Sequence, residues 1–588
     1  MRRVLAILCG GLALAGCVSP GDRPSGRAAA PIEITIIGIN DFHGNLEPPQ
    51  RTITVPAEGA QPEARVPAGG AAYLAGAIDA VRARSPNHLV ISAGDLVSAS
   101  PLTSSLFLDE PTILAMNLIR LDYNAVGNHE FDRGRAELLR LDRGGCEKHT
   151  QRQPCALDPA FPGADFPILA ANVVTETGDT LLPAYGIRRF GRGRRRVDVA
   201  VIGMTTRGTP SLVSPSGIAG LTFRDEAETV NALIPRLKAQ GADVIVVLIH
   251  EGLDPGPSDR NACGQLTGDL AQILQRLSPE VDVVVSGHTH NAYVCDFGTV
   301  DPQRPFLVTS AGSYGTMLTE IRLRVDPRTG AIVARNAENH IVQGEGFADG
   351  SREVRISDRV AVTRSNPEVA ALVRRYAAAA APLKARPVGR LAAPALREPV
   401  RSGESSLGNL VADAQLAAMR SQGAQISLMN PGGLRDDLRP AADGSVSFGQ
   451  IYAVQPFGNV LMVRSFTGRQ LKDVLEQQWA SGSNVDLRKV LQVSSGFTYA
   501  YDTSRPAGQR VSDMRLGGVP IRDEQVVRVA MSNFLAFGGD GFTALAAGTD
   551  EVGGPQDLDA LETFFRANPN LVPPATDRIR NLTPAPAN

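Results

Sequence analysis

Short apolar runs without polar alternation, each stopping at side chains able to bind metals or move protons, constrain this chain more than any other feature. Ile32 to Ile39 stops at Asn40-Asp41-Phe42-His43, His88 to Ser92 leads into Gly94-Asp95, and Tyr123 to Val126 runs into Gly127-Asn128-His129-Glu130-Phe131-Asp132. Val244 to Ile249 ends at His250-Glu251-Gly252, and Val281 to Val285 ends at Gly287-His288-Thr289-His290. β-Branched runs of this kind suit strands buried on both faces. Val197 to Gly203 is a further strand, and helical composition marks Ala71 to Arg84, Pro111 to Leu121, Asp225 to Gln240 and Leu266 to Leu277. The alternation predicts an α/β fold, a layered β-sheet domain with helices outside. In such sheets ligands gather beyond the carboxyl ends of the strands, where Asp41, Asp95, Asn128, His250 and His288 fall. Singly, each has an ordinary reading: Asp95 as a helix cap, Asn128 as a turn residue, His250 as a core histidine. Five of the eight histidines lie in these segments, leaving His88, His149 and His340 as surface or structural residues.

Imidazole and carboxylate suit Zn²⁺ or Mn²⁺, with Co²⁺ also accepted, and one carboxylate can bridge two ions about 3.5–4 Å apart. Two divalent cations against Asp41, Asp95 and a bridging hydroxide leave a charge of about +1, which fits a phosphate dianion. These segments resemble the five blocks of the calcineurin-like metallophosphatases. Their order and the Asn-His-Glu-Phe-Asp form resemble the bacterial 5′-nucleotidase/UDP-sugar hydrolase family. The resemblance implies that Asp41, His43, Asp95 and His290 hold one metal, and that Asp95, as the bridge, holds the other with Asn128, His250 and His288. It also implies that His129 is no ligand but lies beside the phosphate, stabilising developing charge or assisting the leaving oxygen. Asp132 would orient it in a His/Asp dyad; the alternative for Asp132 is a helix N-cap.

Arg2 and Arg3, the apolar run Val4 to Leu14 and then Leu14-Ala15-Gly16-Cys17 form a secretory signal too short to span a bilayer. The cysteine resembles that of a bacterial lipobox, which implies removal of residues 1–16, lipid on Cys17 and a tether over 17–31. Val18 in place of Asp resembles an outer-membrane address, facing the periplasm or the cell surface. A plain signal with an incidental cysteine is the alternative. With Cys9 in the signal and Cys17 on lipid, Cys146, Cys155, Cys263 and Cys295 remain, an even number that reads as two disulfides in an exported protein. Of three possible pairings, Cys146 with Cys155 and Cys263 with Cys295 are favoured. No CxxC supports a zinc-thiolate site.

At 588 residues more than one domain is expected. The divisions are a dinuclear domain over 32–362, an Ala-rich linker helix within 363–386 and a second α/β, substrate-binding domain over 387–588. A net charge of −2 gives no footprint for a nucleic-acid polymer; oligomeric state has no signature, and the membrane enters only through the lipid. The C-terminal half carries basic and aromatic residues beside glycine, around Arg397 and Arg401, Asn430 and Arg435, Phe457, Phe534 and Asp540. Glycines permit close backbone approach and aromatics offer stacking faces, although core packing is the usual fate of phenylalanine. The family resemblance implies that Phe457 and Phe534 sandwich a base, that Asp540 binds ribose, and that Arg397, Arg401 and Arg435 bind phosphate or ribose-side groups, with Asn430 nearby. It further implies that rotation of the C-terminal domain brings substrate to the metals. The expectation is a lipid-anchored two-metal 5′-nucleotidase using a hydroxide nucleophile, with UDP-sugars as further substrates. Its rivals are a 2′,3′-cyclic-nucleotide 2′-phosphodiesterase/3′-nucleotidase, a sulfur-ester hydrolase of the same fold, and a catalytically inactive surface nucleotide-binding protein, which should lack a ligand where this chain lacks none.

Overall fold

A computed structural model describes residues 30–584 apart from 59–60, 151, 194, 257–258, 350–351 and 480–488. The signal segment, Cys17 and nearly all of the expected tether lie outside the described residues. Two six-stranded sheets organise the N-terminal domain. Their strands in chain order are β1 (Ile32–Ile39), β2 (His88–Ser92), β3 (Tyr123–Ala125), β4 (Ile168–Leu169), β5 (Tyr185–Arg192), β6 (Arg195–Thr205), β7 (Val244–His250), β8 (Val283–Ser286), β9 (Ala292–Asp296), β10 (Leu307–Ala311), β11 (Met317–Val325) and β12 (Ile332–Ile341). The first sheet has the order β12-β11-β1-β2-β3-β4 and the second β9-β10-β8-β7-β6-β5. β1 to β4 run parallel in the first sheet, as do β6, β7, β8 and β10 in the second.

The side-chain period of two decides how these sheets pack. Ile34, Ile36, Leu89 and Ile91 point from the first sheet onto Val199, Val201, Val246 and Leu248 of the second, forming one buried layer. The alternate residues Ile37, Ile39 and Val90 face α1 (Ala71–Arg84), α2 (Glu110–Ile119) and α3 (Arg135–Arg143). Ile202, Ile245, Val247 and Val284 face α4 (Glu226–Ala239) and α5 (Asp269–Leu274). Both faces of each sheet are therefore covered, in a four-layer stack with helices outside, as the unbroken apolar runs require. The expected elements recur within a few residues. α5 is shorter than its helix-like stretch, and β8 starts two residues later than the run that suggested it.

Both favoured disulfides are present, with Cα–Cα separations of 5.6 Å for Cys146–Cys155 and 4.8 Å for Cys263–Cys295. The linker helix α6 (Pro367–Lys384) starts with proline after Asn366, whose Oδ1 accepts from the Glu368 and Val369 N–H groups. It lies against α1 and α2, and Arg375 and Tyr376 both bond Asp158. Beyond it, a five-stranded sheet with Val526–Ser532 at its centre packs against Ser406–Met419, and a four-stranded sheet around Phe497–Tyr501 completes a second α/β domain.

The two disulfides close loops of unequal length, with sequence separations of 9 and 32. Loop-closure entropy gives an expected loss of about 3 kcal/mol for Cys146→Ala/Cys155→Ala and about 4 kcal/mol for Cys263→Ala/Cys295→Ala. Denaturant titration reads both; a larger loss from the shorter loop would exclude chain entropy as the main contribution.

Candidate active site

The strand ends of both sheets converge on one buried cluster. Asp41 and His43 follow β1, Asp95 follows β2, Asn128 follows β3, His250 ends β7, and His288 and His290 follow β8. Five of these residues have left-handed backbone conformations, with φ of 49° at Asp41, 46° at His43, 53° at Asp95, 71° at His288 and 59° at His290. Such conformations are unfavourable for non-glycine residues and persist only where surroundings over-determine them. Here a backbone ladder joins the loops: Asp41 N–H donates to Gly94 O, His43 N–H to Asp95 O and Gly44 N–H to Leu96 O. Glu130 reinforces it. Its buried carboxylate accepts from the N–H groups of Gly127 (2.6 Å), Leu96 (2.8 Å) and Asp95 (3.0 Å), binding the loop after β2 to the loop after β3. Gly127 must be glycine because a Cβ there would lie 2.1 Å from Asp95 Oδ1.

The donor chemistry fits divalent metal ions. His43 Nδ1 donates to the Ser98 carbonyl at 2.9 Å and His250 Nδ1 to the Ala93 carbonyl at 2.8 Å, so both rings turn an Nε2 lone pair inward. His43 Nε2 stands 3.2 Å from His290 Nε2 and 3.6 Å from Asp95 Oδ2. His250 Nε2 is 2.9 Å from Asp95 Oδ2 yet, like Asn128 Oδ1, it is buried without a hydrogen-bond partner. Ring nitrogens and carboxylate oxygens converging this closely are the donor set that divalent cations would take in place of protons. Potential ligand atoms of Asp41, His43 and His290 lie within 4.8 Å of one another, as do those of Asp41, Asp95 and His250. His288 joins through its ring, 5.2 Å from that of His250, and through its N–H, which donates to Asp41. Burial raises the Asp41 carboxyl, but His290 and His250 hold it at about 2. Burial opposes charge on His250, yet Asp95 and Asp41 push it up to about 10. These two shifts express carboxylate–imidazole pairing inside the cluster, while burial and the neighbouring His250 depress His288 to about 3 and keep its ring neutral, the form in which imidazole binds a metal.

His129 and Asp132 form the expected pair, with Nδ1 2.7 Å from Oδ2. Asp132 closes the short turn His129–Phe131 with this carboxylate already engaged, and α3 starts after Gly134 with no side-chain cap, which removes the N-cap alternative. Burial works against protonation of His129, while Asp132 and Asp95 raise its pKa.

The C-terminal domain meets the cluster directly. The Phe457 ring stacks on His129 with centroids 5.6 Å apart and planes 14° from parallel, and the Arg435 guanidinium lies 5.8 Å from the Phe457 centroid. Burial is the main cause that depresses His43 and His290, and the charge of Arg435 adds to it. Asn430 donates to Asp540 Oδ2 at 2.8 Å, and Asp540 has the left-handed φ of 55°. Phe534 is half-buried against Gly539. Arg397 donates to the Leu434 and Arg435 carbonyls and so braces the segment carrying Arg435, whereas Arg401 donates to the Thr583 carbonyl. Glu130 is the residue whose part sequence reasoning missed: it stands inside the most conspicuous motif, but its partners are backbone groups that no pattern of residue types displays. Asn40 was missed because it works between its neighbour and a distant backbone group; it donates to Asp41 Oδ2 (2.7 Å) and to the Gly312 carbonyl (2.6 Å).

Comparison with known proteins agrees with this geometry. Residues 34–292 match the calcineurin-like phosphoesterase family and residues 387–547 match the 5′-nucleotidase C-terminal domain. The chain is 30% identical over 553 residues to endonuclease YhcR of Bacillus subtilis, matching over 92% of its own length but spanning only 40% of that relative. It is 26% identical to a probable 5′-nucleotidase of Treponema pallidum, with 97% of both chains covered. Among solved structures, the 5′-nucleotidase precursor from Thermus thermophilus superposes with a TM-score of 0.72 at 26% identity, covering 94% of this chain and 99% of that one.

Glu130→Gln keeps the shape but presents an amide where three N–H donors converge. Metal affinity is expected to fall about 10- to 100-fold, the usual effect of losing an outer partner of a ligand, as read by competition with a chelating dye. Unchanged affinity would mean that the backbone ladder alone holds Asp95.

Proposed function

This chain belongs to the 5′-nucleotidase family, a calcineurin-like phosphoesterase domain followed by a 5′-nucleotidase C-terminal domain, and we propose that it hydrolyses nucleoside 5′-monophosphates. The observation that carries this reading is the stacking of Phe457, from the C-terminal domain, on His129 beside the ligand cluster. It puts a platform for a nucleoside next to a centre suited to a phosphate. Asp41, His43, Asp95 and His290 would hold one ion, and Asp95, Asn128, His250 and His288 the other. When bound, two zinc or manganese ions supply Lewis acidity for the phosphoryl oxygens and an activated water.

The protein's own residues do the rest. Arg435, whose charge is felt at His43 and His290, would bring a positive charge to the phosphoryl group. Asp132 fixes the Nδ1–H of His129, so Nε2 carries the proton delivered to the 5′ oxygen as the P–O5′ bond breaks. Water oxygen ends on phosphorus, and the nucleoside leaves with a restored hydroxyl. Phe457 and Phe534 would stack the base, and Asp540, oriented by Asn430, would accept from the ribose hydroxyls. Because stacking a base does not discriminate what the phosphate carries, UDP-sugars form the second substrate class in this proposal. The proposal includes export, with lipid on Cys17 and the domains at the outer membrane facing the periplasm or the cell surface; two disulfides, which suit an oxidising compartment, support export.

The test strips the protein with chelator, reloads Mn²⁺ or Zn²⁺ and compares phosphate release from 5′-AMP and 3′-AMP. The expected outcome is metal-dependent release with preference for 5′-AMP. His129→Ala should retain metal while losing about 100- to 10,000-fold in rate, and Asp95→Ala should lose metal and activity together. Preference for 3′-AMP would transfer the assignment to the cyclic phosphodiesterase, and no release from either would remove the nucleotidase reading.

A further inference from the structure

At the opposite end of the first sheet from the metal ligands, a cavity of about 430 Å³ opens beside the starts of β2 and β3. Asp79, Arg82, His88, Arg120, Asp122 and Arg188 line it. The five residues of β2 separate it from the loop that carries Asp95, a span of roughly 17 Å at strand rise, so it is no part of the catalytic cleft.

Three guanidinium groups face two carboxylates here, and each carboxylate pairs with one guanidinium through a single oxygen. Asp79 Oδ2 accepts from Asn366 Nδ2 at 2.9 Å, which leaves Oδ1 3.3 Å from Arg82. Asp122 Oδ2 accepts from the Val90 N–H at 2.8 Å, which leaves Oδ1 3.5 Å from Arg188. Arg120 gives its carbonyl to Arg82, and its guanidinium forms no ion pair among the described residues. Most telling is Arg82: its side chain is only 10% exposed, and its Nε is buried with no hydrogen-bond partner. Leaving a charged donor buried and unpaired is costly. Burial and the nearby Arg120 charge lower the Arg82 pKa from its ordinary value, as expected where cations are crowded together with too little counter-charge.

We propose that this cavity binds a small tetrahedral oxyanion of the phosphate or sulfate class, held by Arg82, Arg120 and Arg188. Guanidinium forks match the oxygens of such an anion and tolerate desolvation better than ammonium groups. His88 donates Nδ1–H to the Ser85 carbonyl at 2.8 Å, which leaves Nε2 to accept from a protonated phosphate oxygen. No Phe, Tyr or Trp lines the cavity, so it offers no aromatic platform for a base and a whole nucleotide is not the occupant.

Calorimetric titration of metal-loaded protein with inorganic phosphate, and separately with sulfate, tests the proposal against Arg120→Gln/Arg188→Gln. These two side chains are exposed and far from the ligand cluster, so the thermal unfolding temperature is expected to stay unchanged. Wild-type protein is expected to show a class of site for phosphate that the variant binds about tenfold or more weakly, while any binding at the metal centre persists in both. Tighter binding of phosphate than sulfate through this site would identify the hydrolytic product as its occupant, and equal binding a general oxyanion. Arg82→Met removes the buried donor and should abolish the same class of site. Identical isotherms for the wild type and the Arg120→Gln/Arg188→Gln variant would overturn the proposal, whether or not the protein hydrolyses nucleotides.

Discussion

Two carboxylates buried side by side, Asp41 and Asp95, are the constraint to which the rest of the structure answers. Taking an ion out of water costs several kcal/mol unless other groups replace its hydration. For Asp41 the replacements are the Asn40 amide and the His288 N–H, and for Asp95 the His129 N–H. These donors do not neutralise the charge, and the His250 ring pairs with Asp95 and Asp41. Divalent cations complete the balance, which is why this end of the domain reads as a metal centre on electrostatics as well as on ligand identity.

Holding those groups together has a conformational cost that the fold absorbs. The left-handed residues in the ligand loops are kept in place by the backbone ladder and by Glu130, and the ladder exists because parallel strands release their chains at the same edge of the sheet. The second sheet contributes His250 and His288 only because its inner face packs on the first through one shared apolar layer. Catalytic geometry and core packing are therefore one problem. A cavity in the valine and isoleucine layer would be felt as a displaced ligand as well as a loss of stability.

The C-terminal domain reaches the ligand cluster through a residue that the proposed mechanism does not use as a metal ligand. Phe457 lies on His129, so under the proposed mechanism nucleoside recognition and proton delivery would share one surface. Arg397 acts at one remove, bracing the backbone behind Arg435. The linker helix is anchored to the first domain at both ends, by Asn366 on Asp79 and by Lys384 on Glu47. Any domain rotation must therefore break or pivot about defined polar contacts.

Strand positions, helix positions, the layered α/β architecture and the ligand types were legible in the amino-acid order, because periodicity and residue chemistry are local properties. Apolar runs such as Val244 to Ile249 announced strands buried on both faces, and the residues that follow them announced where ligands would gather. Other features depended on residues far apart in the chain. Asn40 bonds Gly312, 272 positions away, and Glu130 acts on backbone groups that carry no residue-type signal. His88 read as a surface or structural histidine, yet it lines a cavity with arginines from three separate segments. Sequence alone determined which chemistry this protein carries and at which strand ends. Only the tertiary structure decided which side chains meet and which disulfide pairing forms. Those meetings are also what turned Phe457 towards His129, because the packing of two sheets and two domains sets distances that no local pattern encodes.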